Sequence, residues 1–304
     1  IYKHKIERIE TMKVSIVVPC FNEEKTVPLF FDEVEKFKGA HEFEYLFIDD
    51  GSKDGTLAAI KKLAAAYPYV RFVSFSRNFG KEAAMYAGLD HSTGDYVVIM
   101  DADLQHPPTM IPDMIKGIQE GYDCCAARRT TRKGEAPVRS FFSRMFYKVN
   151  KKMTNIDLVQ GAVDFRIMTR QMVDSVLELS ERQRFSKGIF SWVGFKTKWL
   201  PYENVERPLG STKWSFWGLF KYAIDGITSF SITPLRIVTG MGFLISIFAF
   251  LYSIVTLIKT IIFGIDVPGY TTTLCAILFL GGIIELSIGV LGEYIANIYM
   301  EVKN

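Results

Sequence analysis

In VVIMDADLQHPP, residues 97–108, Asp101 and Asp103 stand on either side of Ala102, directly after the apolar run Val97, Val98, Ile99 and Met100. Such a run suits the interior of a parallel sheet. Two carboxylates this close repel unless a cation or a proton separates them. An Asp-x-Asp at a strand end can hold one hard divalent cation, with phosphate oxygens of a substrate completing the shell. Helix caps and chance also produce this pattern, so it does not stand alone. IDDGSKDGT (48–56) puts Asp49 and Asp50 at a second strand end, and VPCFNEEKTV (18–27) puts Asn22 and Glu23 at a third. Each also reads as an ordinary β–α turn. Together the three strand ends make one polar crevice.

The elements that must position these groups alternate. Strands are expected at 15–20, 43–50, 70–76, 95–101 and 122–127, with helices at 26–37, 54–67, 81–92 and 108–121 between them. Asp54 is the expected cap of the second helix. This order predicts an α/β domain whose mostly parallel sheet carries helices on both faces. Ligands in such sheets bind beyond the carboxyl ends of the strands. The carboxylates therefore converge on one rim.

Beyond this domain the composition changes. In VRSFFSRMFYKVNKKM (138–153), Val138, Phe141, Phe142, Met145, Phe146, Val149 and Met153 recur at helical spacing, opposite Arg139, Arg144, Lys148, Lys151 and Lys152. This basic amphipathic pattern suits an anionic bilayer surface better than the domain's own core. Residues 215–230 are amphipathic and aromatic again. Residues 237–258 hold no charge and are long enough to cross a hydrocarbon core of roughly 30 Å. After a polar turn at 264–271, a second apolar run covers 272–292 and contains Glu285. A carboxyl at that depth is costly unless paired or protonated. A hydrogen bond between the two helices is preferred over a subunit contact or a proton-linked role.

The expected domains are an extension at 1–12, an α/β domain at 13–214, an interfacial helix at 215–234 and a two-helix membrane hairpin at 235–304. Residues 1–11 lack a signal sequence, and Met12 is a plausible start. The α/β domain and the C-terminus are then expected in the cytoplasm, at the inner or plasma membrane. The basic residues agree weakly, with Lys221, Arg236 and Lys303 inside and Lys259 near the far side. A hydrophobic share of 49% and a net charge of +3 leave no case for nucleic acid. The mean hydropathy of +0.14 is high for a soluble enzyme. Cys20, Cys124, Cys125 and Cys275 lack metal-ligand spacing and suit a reducing compartment. Adjacent in a strand, Cys124 and Cys125 should face opposite sides.

VPCFNE, DDGSKDGT, RNFGKEAAMYAGLDHSTGD and MDADLQHPP, in this order, resemble the family 2 glycosyltransferases of the GT-A fold. GAVDFRIM (161–168), ERQRFSKGIFSWVGF (181–195), RPLGSTKWSFW (207–217) and AIDGITSFSITPLR (223–236), followed by two apolar helices, narrow this. They resemble the polyprenyl-phosphate glycosyltransferases, such as dolichol-phosphate mannose synthase and the bacterial GtrB-type enzymes acting on undecaprenyl phosphate. The resemblance runs from about residue 13 to the end.

The resemblance implies the following roles. Pro19, Phe21, Asn22, Glu23 and Asp50 line the nucleoside pocket, with Asp50 accepting from base or ribose. Lys81 either contacts the donor or is a solvated helix-start lysine. Asp101, Asp103 and Gln105 hold Mg²⁺ or Mn²⁺ against the donor diphosphate, which separates the two anions and neutralises the leaving group. His106 reads as structural or as a donor contact. Arg128, Arg139, Arg207 and Lys213 receive the acceptor phosphate, for which arginine is suited. Asp164 matches the position proposed as the base. A phosphate with a second pKa near 6 is already largely anionic at neutral pH, so Asp164 can instead position acceptor or sugar, or stabilise charge at the anomeric carbon.

The implied reaction is one in-line, inverting transfer of a hexose from a UDP-sugar, UDP-glucose first, to undecaprenyl phosphate for cell-envelope glycan. UDP-GlcNAc and GDP-mannose are the alternative donors. ERQRF lacks the Trp of processive synthases, which favours a single transfer. A reading of another class is a non-catalytic membrane adaptor for a flippase, against which Asp101, Asp103 and Asp164 argue. A flippase partner is also compatible with the enzyme. Gly240, Gly242, Gly281, Gly282, Gly289 and Gly292 let helices approach closely, so a homo-oligomer is expected.

Overall fold

The computed structural model describes residues 11–130, 159–181, 184–203, 233–263 and 269–302. The expected helices at 138–153 and 215–234 lie outside these residues. Seven strands form one sheet: β1 (Lys13–Cys20), β2 (Glu42–Asp49), β3 (Val70–Ser74), β4 (Tyr96–Ile99), β5 (Cys124–Arg129), β6 (Ala162–Thr169) and β7 (Thr197–Tyr202), in the order β3-β2-β1-β4-β6-β5-β7. The helices between them are α1 (Thr26–Glu35), α2 (Thr56–Ala66), α3 (Lys81–His91), α4 (Ile111–Gln119), α5 (Arg170–Glu178) and α6 (Ser186–Trp192). β1, β2, β3 and β4 are parallel, and β5 pairs parallel with β7. β6 runs antiparallel between β4 and β5. The expected GT-A-like mixed sheet is therefore present. It carries one reversed strand that the βαβα pattern before residue 127 did not announce.

Alternation along the strands sorts the core into two layers. Ile16 and Val18 of β1 face Phe30, Val34, Met114 and Ile118, on the side of α1, α2 and α4. Val17, on the opposite face, meets Met85, Leu89, Met172, Val173 and Phe190, on the side of α3, α5 and α6. Cys125 joins the first layer and Cys124 the second, as adjacent strand residues must. The N-terminus of α2 differs slightly from expectation. The helix begins at Thr56, and Asp54 Oδ1 accepts from Thr56 N at 3.0 Å from one residue further out.

Two further helices complete the described chain, α7 (Thr233–Phe263) and α8 (Tyr270–Val302). Both are long and apolar enough to cross a membrane. Their apolar side chains face outward, with Phe248 71% and Phe263 78% exposed. A water-soluble helical pair would bury that surface. At its C-terminal end α8 approaches the α/β domain, since the charge of Glu301 acts on the Arg184 guanidinium. Glu285 corrects an expectation: it is exposed on α8, and no hydrogen bond from it to α7 forms among the described residues.

Candidate functional site

The rim at the carboxyl ends of β1, β2 and β4 is built by short polar turns. After β1, Asn22 takes a left-handed conformation (φ 56°). Its backbone N–H donates to Ser52 Oγ at 3.0 Å, and its side-chain oxygen accepts from Lys53 N at 2.9 Å. Glu23 N–H donates to Thr56 Oγ1 at 2.7 Å. The first and second strand ends are thus laced together beside Pro19 and Phe21.

The Asp49-Asp50 pair divides its work. Asp49 accepts from Ser52 N at 3.1 Å and from Ser74 Oγ at 2.9 Å, closing its own turn and tying it to β3. Asp50 is only 3% exposed. It accepts from Asn78 Nδ2 at 2.8 Å, Phe79 N at 2.7 Å and Gly80 N at 3.0 Å. Its carboxylate thereby holds the 78–80 loop. Burial raises its pKa against those amide bonds. Gly51 has φ +64°, and a Cβ there would lie 2.4 Å from the Arg77 carbonyl carbon. Glycine is required for that turn to touch the 77–80 loop.

Lys81 follows from this loop, as the first residue of α3. Its Nζ lies 2.6 Å from Asp101 Oδ1, 2.8 Å from Asp101 Oδ2 and 2.6 Å from Asp164 Oδ2. Asp101 follows β4, and Met100 N–H still donates to Val17 O at 3.0 Å, which fixes the strand's last turn inward. Leu104 is left-handed (φ 56°), and Gln105 N–H donates to Asp103 Oδ1 at 3.1 Å. Asp164 sits on the reversed strand β6. Burial would raise its carboxyl, but Lys81, Lys187 and Arg166 hold it well below the usual carboxylate range. Arg166 is itself buried, donates to Val163 O at 2.9 Å, and stacks 3.8 Å over the Phe190 ring.

These residues meet at one cavity of about 130 Å³, lined by Asp101, Gln105, His106, Arg129, Val163, Asp164, Lys187 and Tyr202. The His106 ring stacks on Phe165 at 5.5 Å and meets Tyr202 edge-on, and burial lowers its pKa. Its buried Nδ1 has no hydrogen-bond partner among the described residues.

Asp101, Gln105 and Asp164 are thus brought together, with Lys81 between two of them. Arg128 does not line the cavity; its Nε donates to Gln160 O at 3.0 Å. Arg129, its neighbour, does. Arg139, Arg207 and Lys213 lie outside the described residues. Sequence reasoning missed Arg129, Lys187 and Tyr202. The Arg-Arg doublet at the end of β5 was a signal, since neighbours on a strand face opposite ways, but it could not say which one faces the ligand.

The donor set suits a divalent cation completed by ligand phosphates. No cluster of three or more His, Cys, Asp or Glu forms among the described residues. Asp101 and Asp103 supply the one or two carboxylates that Mg²⁺ takes alongside phosphates. The Lys81 ammonium lies against Asp101 in the structure.

Residues 15–177 match the family model for glycosyl transferase family 2. The chain belongs to this family. Residues 233–298 match the GtrB C-terminal hairpin, which covers both α7 and α8. This family 2 member is 49% identical over 292 residues to the putative glycosyltransferase CsbB of Bacillus subtilis (strain 168), covering 95% of this chain and 88% of the relative. It is 46% identical over 294 residues to the prophage bactoprenol glucosyl transferase homolog of Escherichia coli (strain K12), with 96% of each covered. Among solved structures, the mannosyltransferase PcManGT from Pyrobaculum calidifontis, in complex with GDP-Man and Mn²⁺, shares the fold. Its TM-score is 0.52 at 16% identity, over 96% of this chain and 86% of that one.

Proposed function

We propose that this glycosyltransferase moves a hexose, glucose first, from its UDP-sugar to undecaprenyl or a related polyprenyl phosphate, with inversion, at a membrane. The observation that carries this reading is the meeting of Asp101 and Asp164 with Arg129 and Lys187 on one cavity in a chain that continues into an apolar hairpin. The E. coli relative named for bactoprenol glucosyl transfer supports the acceptor and the sugar.

Pro19, Phe21, Asn22 and Glu23 receive the nucleoside, and Asp50 shapes that wall by holding the 78–80 loop. Asp101, Asp103 and Gln105 hold Mg²⁺ or Mn²⁺, which when bound neutralises the diphosphate leaving group. Arg129 and Lys187 present positive charge to the acceptor phosphate, assisted at the membrane side by Arg128, Arg139, Arg207 and Lys213. Asp164, held ionised by its cationic neighbours, is a poor proton acceptor near neutral pH. It orients the acceptor and stabilises positive charge growing at the anomeric carbon. The phosphate attacks in line as the anion it already is. The hairpin crosses the cell membrane with the catalytic domain on the cytoplasmic side, where nucleotide sugars serve as donors. The glycines of α7 and α8 favour a homo-oligomer, and a flippase is the expected recipient of the lipid product.

The test is a transfer assay. Purified chain in detergent receives undecaprenyl phosphate, Mg²⁺ or Mn²⁺, and UDP-glucose, UDP-GlcNAc, UDP-galactose or GDP-mannose in parallel. Mass spectrometry should detect one lipid phosphosugar that EDTA abolishes, from UDP-glucose. A product from another donor corrects the sugar. No product from any donor, with folded protein, returns the reading to a non-catalytic adaptor.

A further inference from the structure

Lys81 is aimed across the cleft from behind. Asp50 receives the Phe79 and Gly80 amides, and Gly80 itself takes φ +96°, so α3 begins with Lys81 pointing at the rim. Its ammonium then bridges carboxylates from two different strands, 2.6 Å from each. Without it, Asp101 would lose the ammonium that it shares with Asp164, and like charges on neighbouring carboxylates disfavour their charged forms. The lysine side chain is 41% exposed, so it has room to move.

Asp101 is also a residue assigned above to the divalent cation. An ammonium in hydrogen-bond contact with both Asp101 oxygens and a doubly charged ion on the same carboxylate repel each other. Lysine is a flexible point charge with three donors, suited to changing partners. We propose that Lys81 is the internal counter-cation of the donor site. It occupies Asp101 before the nucleotide sugar arrives and yields it to the divalent cation. It then remains on Asp164 and positions that carboxylate beside the sugar. The exchange keeps the metal-free rim neutralised and makes metal binding weak until a diphosphate adds its own oxygens. This inference rests on the metal-dependent reading above.

Mn²⁺ titrations followed by electron paramagnetic resonance test it on the full chain in detergent, without substrate and with UDP. In the absence of nucleotide, Lys81→Met should bind Mn²⁺ about two- to fivefold more tightly than the native chain, the range expected for losing a partly exposed competing ion pair. Lys81→Gln, neutral but polar, should show the same gain if the methionine variant fails to fold. Lys81→Arg should restore the weak binding. A structural role alone would not tighten metal binding. Unchanged or weaker Mn²⁺ affinity in both neutral variants overturns the exchange, while Mn²⁺ binding to the native chain with UDP leaves the metal reading standing. No Mn²⁺ binding to any chain, even with UDP, overturns both.

Discussion

Asp101 and Asp103 follow one strand and Asp164 lies on another, yet Asp101 and Asp164 share a lysine. Removing a group that stabilises developing charge typically costs 10²–10³ in turnover. Asp103→Asn should therefore lower kcat for lipid phosphosugar by about that factor, and Mn²⁺ affinity should fall with it. Asp164→Asn should lower kcat by a similar factor with the pH–rate profile unchanged in shape, because the native carboxyl titrates well below the usual range. Loss of an acidic limb in that variant would return Asp164 to the base role. A different carboxylate tests the fold. Burial raises the Glu44 carboxyl, but hydrogen bonds from Ser15, Arg71 and Thr93 outweigh it and bring the pKa down to about 2. A depressed carboxyl stabilises the fold above its unfolded value and loses that contribution as pH falls through the folded one. Thermal melts should show native stability declining from about pH 4.5 towards 2. Glu44→Gln should be about 1–3 kcal/mol less stable at pH 7 and flatter across that window. Asp101 and Asp103 were legible from type and spacing, whereas Asp164 was indicated only by the resemblance that GAVDFRIM carries. Which arginine of the doublet faces the cavity was not, because a strand's facing depends on its register with neighbours.

At the scale of elements, the first four strands and the helices joining them follow from alternation and periodicity, with ends shifted by a residue or two. The crossing of α3 over the sheet shows why these helices sit close. A Cβ on Gly88 would lie 2.2 Å from Val17 Cγ1. Gly88→Ala should therefore push α3 off β1 and cost about 1–3 kcal/mol, as overpacking does. Because α3 carries Lys81, the same variant should weaken donor binding more than a surface Gly→Ala change, read as a rise in KM for the nucleotide sugar. The reversed strand β6 was, with α5, α6 and β7, among the elements that pattern reading left out. It mixes Asp164 and Arg166 with apolar residues, and its direction is set by where the chain returns to the sheet.

For the whole molecule, the decisive feature is an α/β domain followed by a hairpin whose apolar surface is exposed among the described residues. Such a chain should stay with membranes through high salt and alkaline carbonate washes, since apolar burial in the bilayer does not depend on salt. Release into the soluble fraction by carbonate would contradict a spanning hairpin. Length and apolar composition made both helices legible in advance. The place of Glu285 was not, since the face a carboxyl takes depends on how two helices pack.

The sequence alone determined the alternating α/β order, the rim of acidic strand ends and the apolar hairpin. These are local properties, written in periodicity, turn residues and charge, and they survive without knowledge of distant contacts. Only the tertiary structure decided that β6 reverses, that Asp50 is spent on the 78–80 loop, and that Lys81 joins Asp101 to Asp164. Each depends on residues far apart in the chain meeting in one place. Strand order and register fix such meetings, and the sequence of one strand does not contain its neighbour's position.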